Sequence, residues 1–188
     1  MSWLEEAERV DVAVYGAIAG TPTPRLDDAL RRLSQAANYS RLSIASGALL
    51  ATFGGPHGRR AAFTGLASAG ATSAVVNLVV KPLGRRPRPN RDVQAAPEAR
   101  HVRMPASRSF PSGHTAAAVA FAGGVGSVLP AAGVPLRVLA ALVAYSRIHT
   151  GVHYPGDVLA GALLGEMIAD MTGVLLARRR PHSSASMS

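Results

Sequence analysis

The stretch AAFTGLASAGATSAVVNLVV, residues 61–80, carries no charged side chain over its whole length. An α-helix rises about 1.5 Å per residue, so a run of this length spans the roughly 30 Å of a bilayer's hydrocarbon core. The stretch is rich in Gly, Ala, Ser and Thr, the small residues that let membrane helices approach one another closely. It therefore predicts a membrane-spanning helix that packs tightly against its neighbours.

Similar apolar runs lie on both sides of this stretch. Residues 42–58 carry no ionisable side chain apart from His57, and residues 109–136 carry none apart from His114. A soluble protein with several such buried helices is the alternative, but it would keep too little polar surface. We therefore predict an all-α fold, a polytopic membrane helical bundle of about five spans. The spans are predicted at about 41–56, 61–81, 112–129, 133–147 and 157–177.

The first forty residues show a different pattern, in which apolar residues recur at helical spacing. The apolar members are Trp3, Ala7, Val10, Val14 and Ile18, then Leu26, Leu30 and Leu33. They predict amphipathic helices at 3–19 and 24–37 that lie on the membrane or on the bundle, with an additional soluble cap as the alternative. The chain is thus divided into N-terminal helices (1–40), a membrane core (41–178) and a basic, disordered tail (179–188).

The composition limits the chemistry. The chain has no cysteine, which excludes disulfides and thiolate chemistry. Its net charge of +9 suits nucleic acid, anionic lipid or a phosphorylated substrate as a partner. Aromatic residues for base stacking are few, so we expect a membrane lipid rather than nucleic acid. A non-enzymatic membrane scaffold is the alternative class, and the composition does not decide between a monomer and a homo-oligomer.

Polar residues collect at three junctions between the predicted spans, and the direction of the chain puts all three on one side of the membrane. The junctions read KPLGRRPRP (81–89), PSGH (111–114) and SRIHTGVHYPGD (146–157). Lys81, in the first of them, is the only lysine of the chain. Together with Arg88 and Arg147 it supplies three cations, a set that suits a dianionic phosphoryl group.

The PSGH junction predicts an anion site at the start of a helix. Pro111 favours the first helical turn, so the backbone N–H groups of Ser112, Gly113 and His114 have no partner within the helix. Together with the helix dipole, these groups form a cradle for an anion. Gly113 also lets a phosphate approach the backbone closely.

Two histidines complete the predicted site. His153 and Asp157 stand four residues apart, a spacing at which a carboxylate can orient an imidazole. The oriented His153 would act as a nucleophile, and His114 would protonate the leaving oxygen. The hypothesis is a two-step phosphoryl transfer through phosphohistidine, without a metal or other cofactor, in which the cations stabilise charge on the phosphoryl oxygens.

Several of these residues also have simpler interpretations. A lysine at the end of a span often only reaches toward the headgroups, and Arg85, Arg86 and Arg91 are interpreted as headgroup or solvent contacts. His149 and His153, also four residues apart, form an alternative metal pair. No Glu or Cys stands nearby as a third ligand, and a metal would not explain the arginines. No role is assigned to His57, His101 and His182.

Taken together, KPLGRRPRP, PSGH and SRIHTGVHYPGD resemble the three-part signature of the type-2 phosphatidic acid phosphatase family, within the lipid phosphatase and vanadium haloperoxidase superfamily. The parts stand in order with their internal spacings, and the resemblance covers about residues 45–178. It implies a helical membrane bundle that hydrolyses a lipid phosphate ester without metal. It implies His153 as nucleophile, Asp157 as its partner and His114 as acid, with the phosphate held by Lys81, Arg88, Ser112, Gly113 and Arg147.

The resemblance leaves two points open. The predicted spans are fewer than is usual in the family, so the amphipathic start would take the place of the missing one. A phosphotransferase or a vanadate-dependent peroxidase would use the same site, although the membrane runs argue against the soluble peroxidases.

Two acidic residues, Glu166 and Asp170, fall inside the last predicted span. Charged side chains within a membrane are costly and are usually paired. Arg137 stands ten residues before Arg147, and Glu166 stands nine after Asp157, which puts both at a similar depth on antiparallel neighbours. We predict an Arg137–Glu166 contact, with unpaired carboxylates near the far headgroups as the alternative.

The distribution of basic residues bears on the orientation of the site. More of them lie on the site side than on the far side, which favours a cytoplasmic site. Such a site would suit removal of the 5-phosphate from a polyprenylphosphoryl ribose, or of the phosphate from phosphatidylglycerophosphate. Polyprenyl pyrophosphate recycling, commonly an outside reaction, is the other candidate. The Ala, Gly and Arg bias indicates a GC-rich genome and fits a bacterium with an arabinose-containing wall, which needs the ribose step.

Overall fold

A computed structural model describes residues 2–178, and within them the chain is folded into helices. The longer helices are α1 (Trp3–Gly20), α2 (Pro24–Ala36), α3 (Arg41–Phe53), α4 (Gly55–Leu83), α5 (Gly113–Gly126), α6 (Pro130–His149) and α7 (Pro155–Arg178). Helix α4 includes a π-helical segment, Val76–Val80, directly before Lys81. Short 3₁₀ turns lie at Asn38–Ser40 and Glu98–Arg100. The predicted tail and His182 lie outside the described residues.

Helix α5 is the centre of the bundle, with α4, α6 and α7 packed around it. Small residues allow these contacts, because a Cβ atom on Gly124 would lie 2.9 Å from Gly65 Cα. A Cβ atom on Gly161 of α7 would lie 2.5 Å from the carbonyl oxygen of Ser112, just before α5. A larger residue at Gly161 would therefore push α7 away from the start of α5, where one of the predicted junctions lies.

Three helices of the described chain are long and apolar enough to cross a membrane, namely α4, α6 and α7. They correspond to three of the predicted spans, and the predicted all-helical membrane bundle is confirmed. Helices α3 and α5, which correspond to the other two, have only 13 and 14 residues. Each therefore rises roughly 20 Å, less than the thickness of a hydrocarbon core. Most of α5 is buried, because its neighbours surround it.

The N-terminal helices form as predicted, and α1 turns a partly polar face to the bundle. Its predicted apolar face is largely exposed, with Trp3 75% and Val10 58% exposed. The buried face carries Asp11, Tyr15 and Ala19 instead. A buried carboxylate needs a charged or hydrogen-bonding partner, and the partners of Asp11 belong to the candidate site.

Helix α2 also has polar residues on its buried face. Its buried residues are Asp27, Leu30 and Ser34, whereas Leu26 is 52% exposed. Helix α2 packs on α6, where both polar side chains find partners. Periodicity of apolar residues located both helices but did not indicate which polar residues are buried, because contacts with distant parts of the chain decide this.

The predicted pair between α6 and α7 is confirmed. Arg137 donates two hydrogen bonds to Glu166, from Nη1 to Oε2 at 3.0 Å and from Nη2 to Oε1 at 2.6 Å. This two-pronged geometry is the strongest that arginine and a carboxylate can form. It neutralises a carboxylate that would otherwise lie unpaired within a predicted span.

Candidate active site

The three polar junctions meet at one end of the bundle. Ser107 Oγ accepts hydrogen bonds from Lys81 Nζ at 3.0 Å and from Arg88 Nη2 at 3.2 Å. Arg88 Nη1 lies 3.3 Å from His153 Nε2, and a Cβ atom on Gly113 would lie 3.9 Å from Lys81 Nζ. Residues from all three junctions are thus in mutual contact, as the sequence predicts.

The turn after α6 positions His153. Helix α6 ends at His149, and Gly151 then adopts a left-handed backbone with φ 64°, a conformation that glycine enters at little cost. The chain folds back so that the N–H groups of Val152 and His153 donate to the Arg147 carbonyl at 3.1 and 3.3 Å. One residue, Arg147, therefore supplies both a cation and the carbonyl that holds the histidine backbone.

Asp157 is fully buried in the first turn of α7 and is held by three donors. Ser109 Oγ and the Tyr154 N–H donate to Oδ2, the latter at 2.9 Å. Arg86 Nη1 donates to Oδ1 at 3.0 Å. His153 Nδ1 lies 3.5 Å from Oδ2 and makes no hydrogen bond to any described residue. The carboxylate is thus fixed by other groups and faces the imidazole.

The surroundings keep the imidazole of His153 neutral. Burial lowers the pKa of His153 to about 4, with Arg88 and Arg147 acting in the same direction and Asp157 opposing them. Because Arg88 Nη1 donates toward Nε2, we assign the lone pair to Nε2 and the proton to Nδ1, which faces Asp157. A neutral imidazole with its lone pair on Nε2 is the form that attacks phosphorus.

The two site arginines are constrained differently. Arg147 is only 2% exposed, and its Nη1 donates to Ser34 O at 2.9 Å and to Ser34 Oγ at 2.8 Å. Arg147 Nε is buried without a partner among the described residues. Burial also lowers the pKa of Arg88, with Arg91 adding to the effect and Asp157 opposing it. Both cations sit where an anion would lower the cost of their burial.

The helix-start cradle differs from the prediction at Ser112. The Ser112 N–H donates to the Asp157 carbonyl at 2.9 Å, and Ser112 Oγ pairs with Thr115 Oγ1 at 3.0 Å. As predicted, this N–H has no partner within its own helix, but the Asp157 carbonyl already occupies it, so it is not free for an anion. It joins the start of α5 to α7 and so holds Gly113 and His114 close to Asp157. The role of Ser112 as a phosphate ligand stays a prediction.

His114 lies between two cavities. One, of about 210 Å³, is lined in part by Lys81 and Gly113. The other, of about 420 Å³, is lined in part by Asn38 and Arg103. His114 Nε2 lies 3.0 Å from Asn38 Oδ1, so a residue from the segment after α2 contacts the predicted acid. Periodicity and motifs gave no signal for Asn38.

His149 has different partners from His153. Its Nε2 lies 3.0 Å from Asp27 Oδ1, which also accepts from Arg100 Nε at 2.9 Å. Arg100 is fully buried and donates to the carbonyls at the end of α1, including Thr21 at 2.6 Å. These contacts join α1, α2 and α6 and do not support the alternative pairing of His149 with His153.

The contacts of Arg86 contradict the prediction that this residue meets only headgroups or solvent. Its Nη1 lies 2.6 Å from Asp11 Oδ2 and 3.0 Å from Asp157 Oδ1, and its guanidinium stacks 4.3 Å from the ring of Tyr154. Burial tends to lower the pKa of Arg86, but the contacts with Asp11 and Asp157 outweigh burial and raise it. Asp11 Oδ1 also accepts from the Gly156 N–H at 2.7 Å, which ties α1 to the start of α7.

Replacing Arg86 with Ala should weaken both the fold and the site. The change leaves two carboxylates without their shared cation, which we expect to cost about 2 kcal/mol of unfolding free energy. Loss of a fixed Asp157 position should lower kcat/KM by about 10- to 100-fold. Arg85→Ala is the matched control, because Arg85 is exposed. Thermal unfolding in detergent and phosphate-release kinetics measure both effects, and equal behaviour of the two variants would contradict the role of Arg86.

The fold is that of a helical membrane protein, and one end of the bundle brings His153 together with Asp157 and several basic side chains. The family model of the PAP2 superfamily matches residues 62–181, so the chain belongs to the PAP2 superfamily. The predicted resemblance is thereby confirmed. The match includes all three junctions but begins after α1, α2 and α3.

Particular relatives are similar over different shares of the chain. The decaprenylphosphoryl-5-phosphoribose phosphatase of Mycobacterium tuberculosis is 40% identical over 105 residues, 55% of this chain and 55% of the relative. The chain thus spans about half the length of that relative. The protein of the same name from Mycolicibacterium smegmatis is 34% identical over 160 residues, 73% of this chain and 82% of the relative.

A solved structure shares the fold. A transmembrane PAP2 type phosphatidylglycerolphosphate phosphatase from Bacillus subtilis superposes with a TM-score of 0.69 at 23% identity, covering 94% of this chain and 89% of that one. This similarity extends over the N-terminal part that the family model leaves out. It supports the helical membrane architecture.

Proposed function

We propose that this protein is a lipid phosphatase that hydrolyses a phosphate ester through a phosphohistidine intermediate, without a metal. The observation that carries the proposal is the buried, neutral His153, with Nδ1 3.5 Å from Asp157 and Nε2 3.3 Å from Arg88 Nη1. Phosphorus brought to Nε2 would have its oxygens beside the Arg88 guanidinium and near the Lys81 ammonium. The membrane helices let the lipid tail stay in the bilayer during the reaction.

The reaction then has two steps. In the first, His153 Nε2 forms a bond to phosphorus, the ester P–O bond breaks, and His114 gives its proton to the leaving oxygen. In the second, His114 takes a proton from water, the water oxygen bonds to phosphorus, and the P–N bond breaks to release inorganic phosphate. Asp157 stabilises the positive charge that His153 gains, and the cations stabilise the phosphoryl oxygens.

We propose a polyprenylphosphoryl-5-phosphoribose as the substrate, which loses its 5-phosphate. The names of the two mycobacterial relatives support this choice. Arg103 supports it as well, because it lines the same cavity as His114, where the leaving group would lie. The leaving ribose carries a second phosphate, for which an arginine is a suitable partner.

A panel of lipid phosphates tests the proposal. The purified protein in detergent with EDTA should release phosphate from polyprenylphosphoryl-5-phosphoribose, with kcat/KM at least about 10-fold above phosphatidylglycerophosphate and polyprenyl pyrophosphate. A preference for another lipid would overturn the substrate but keep the mechanism. Loss of activity with EDTA would contradict the metal-independent mechanism, and no release from any lipid would contradict an enzyme.

We also propose that the site faces the cytoplasm, as the excess of basic residues on that side favours. The chain has no cysteine, so single cysteines report the sidedness cleanly. Ala106 is exposed next to the site, and His57 is exposed at the start of α4 on the far side. We expect a membrane-impermeant thiol reagent on whole cells to label His57→Cys but not Ala106→Cys. The reverse labelling pattern would place the site outside.

A further inference from the structure

Asn38 lies against the predicted acid although it stands far from every junction in sequence. Its side-chain Oδ1 is 3.0 Å from His114 Nε2, across 76 residues of chain. It also precedes the region that the family model matches. Oδ1 is an acceptor only, so the ring nitrogen it contacts carries a proton.

The backbone around Asn38 holds it in place. Tyr39 and Ser40 both have left-handed backbones, with φ 56° and 55°. Two consecutive non-glycine residues in this region are costly and persist only where the surroundings impose them. Four residues before Asn38, Ser34 is anchored to Arg147 by hydrogen bonds of 2.8 and 2.9 Å. The turn is thus fixed at one end by a site arginine and directs Asn38 to the histidine.

The hydrogen bond from His114 Nε2–H to Asn38 Oδ1 determines which ring nitrogen of His114 takes part in proton transfer. In the first step the acid is the imidazolium form of His114, in which Nε2–H is held by Asn38 and the Nδ1 proton goes to the leaving oxygen. The neutral ring left behind keeps its proton on Nε2, so Nδ1 is the nitrogen that takes a proton from water in the second step. Without an acceptor at Nε2, the neutral imidazole would exchange between two tautomers, one of which cannot accept at Nδ1. The ring would also be free to rotate away from the leaving oxygen.

We infer that Asn38 is a positioning residue for His114: through the 3.0 Å contact to Nε2 it fixes the orientation of the ring as acid and the tautomer of the neutral ring as base. This inference rests on the proposed function of His114. It makes the segment between α2 and α3 part of the reaction machinery. Among the described residues, the side chain of Asn38 forms its hydrogen bond with His114 and none with His153 or Asp157.

Two substrates that differ in whether the leaving oxygen needs a proton test the inference. An alkyl phosphate needs a proton on its leaving oxygen, whereas p-nitrophenyl phosphate leaves without one. Asn38→Leu keeps the size but removes the acceptor, and it should lower kcat/KM for the alkyl phosphate by about 10- to 100-fold and for p-nitrophenyl phosphate by less than about 3-fold. Asn38→Asp retains an acceptor oxygen and should recover most of the loss. His114→Ala should show the same selective loss, and the double variant should lose no more.

Two results would overturn the inference. An equal loss on both substrates would mean that Asn38 only supports the fold, and unchanged or faster alkyl cleavage would mean that it competes with the leaving group for His114. Asn38→Ala, which is smaller and also lacks a side-chain acceptor, gives the same comparison if Asn38→Leu fails to fold. The kcat/KM ratio reports the first step, so it is independent of slow phosphohistidine hydrolysis. Failure of the proposed function is distinct, because the wild-type protein would then cleave neither substrate.

Discussion

His153→Ala should abolish phosphate release, with a fall in kcat of about 10⁴-fold or more, because the substitution removes the attacking nitrogen. His153 is 1% exposed, and its Nε2 lies 3.3 Å from Arg88 Nη1, so the attacking nitrogen stands beside a cation that can hold the phosphoryl oxygens. Phosphate release from the lipid in detergent measures the loss. Rapid acid-free quenching with a radiolabelled substrate should detect an acid-labile, base-stable phosphoprotein in the wild-type protein and none in the variant.

His57→Ala is the matched control for this experiment. His57 is exposed near the start of α4, far along the helix from Lys81, and it has no part in the proposed site. We expect wild-type activity and a labelled intermediate. Wild-type activity in His153→Ala itself would show that the mechanism is wrong.

Asp157→Asn should lower kcat by about 10⁴-fold while the protein stays folded, by analogy with the loss seen when the carboxylate of a catalytic triad becomes an amide. The substitution removes the negative charge that stabilises a cationic His153 in the first step. It also presents an NH₂ group to one of the three donors around Asp157, namely Ser109, the Tyr154 N–H and Arg86. The imidazole would then lose both its charge partner and its fixed tautomer.

Asp170→Asn is the matched control, because Asp170 lies on the same helix but is exposed. We expect it to leave kcat within about 2-fold of wild type, as surface substitutions commonly do. Thermal unfolding of both variants in detergent separates a loss of chemistry from a loss of fold. An Asp157→Asn variant with near wild-type kcat would remove the carboxylate from the mechanism.

The spacing of residues along the sequence was enough to predict much of the site. His153 and Asp157 are four residues apart, so the turn into α7 brings them together whatever the rest of the fold does. The direction of alternating spans then predicted that Lys81, Arg88 and Gly113 would share one side, and the contacts through Ser107 agree. The Arg137–Glu166 pair followed from equal depth on neighbouring helices.

The sequence does not show which of several arginines in one loop is buried and paired. Arg85 and Arg86 are neighbours with the same chemistry, yet only Arg86 points at Asp11 and Asp157. Arg100 is one of several arginines in its loop, and nothing in the local sequence sets it apart. In the structure it is nevertheless fully buried at the end of α1. The direction of a long side chain in an irregular loop depends on contacts distant in the chain, and no local pattern records them.

The helical membrane class, the three junctions and the histidine–aspartate pair could be predicted from the sequence, because charge-free runs and fixed spacings act over one helix or one turn. The burial of Asp11, Asp27 and Ser34 between α1, α2 and the bundle, and the contact of Asn38 with His114, are visible only in the folded structure. Those contacts join residues separated by 70 or more positions, as in the 76-residue separation of Asn38 and His114. They form because a buried polar group must find a partner, and packing alone determines which partner lies within reach.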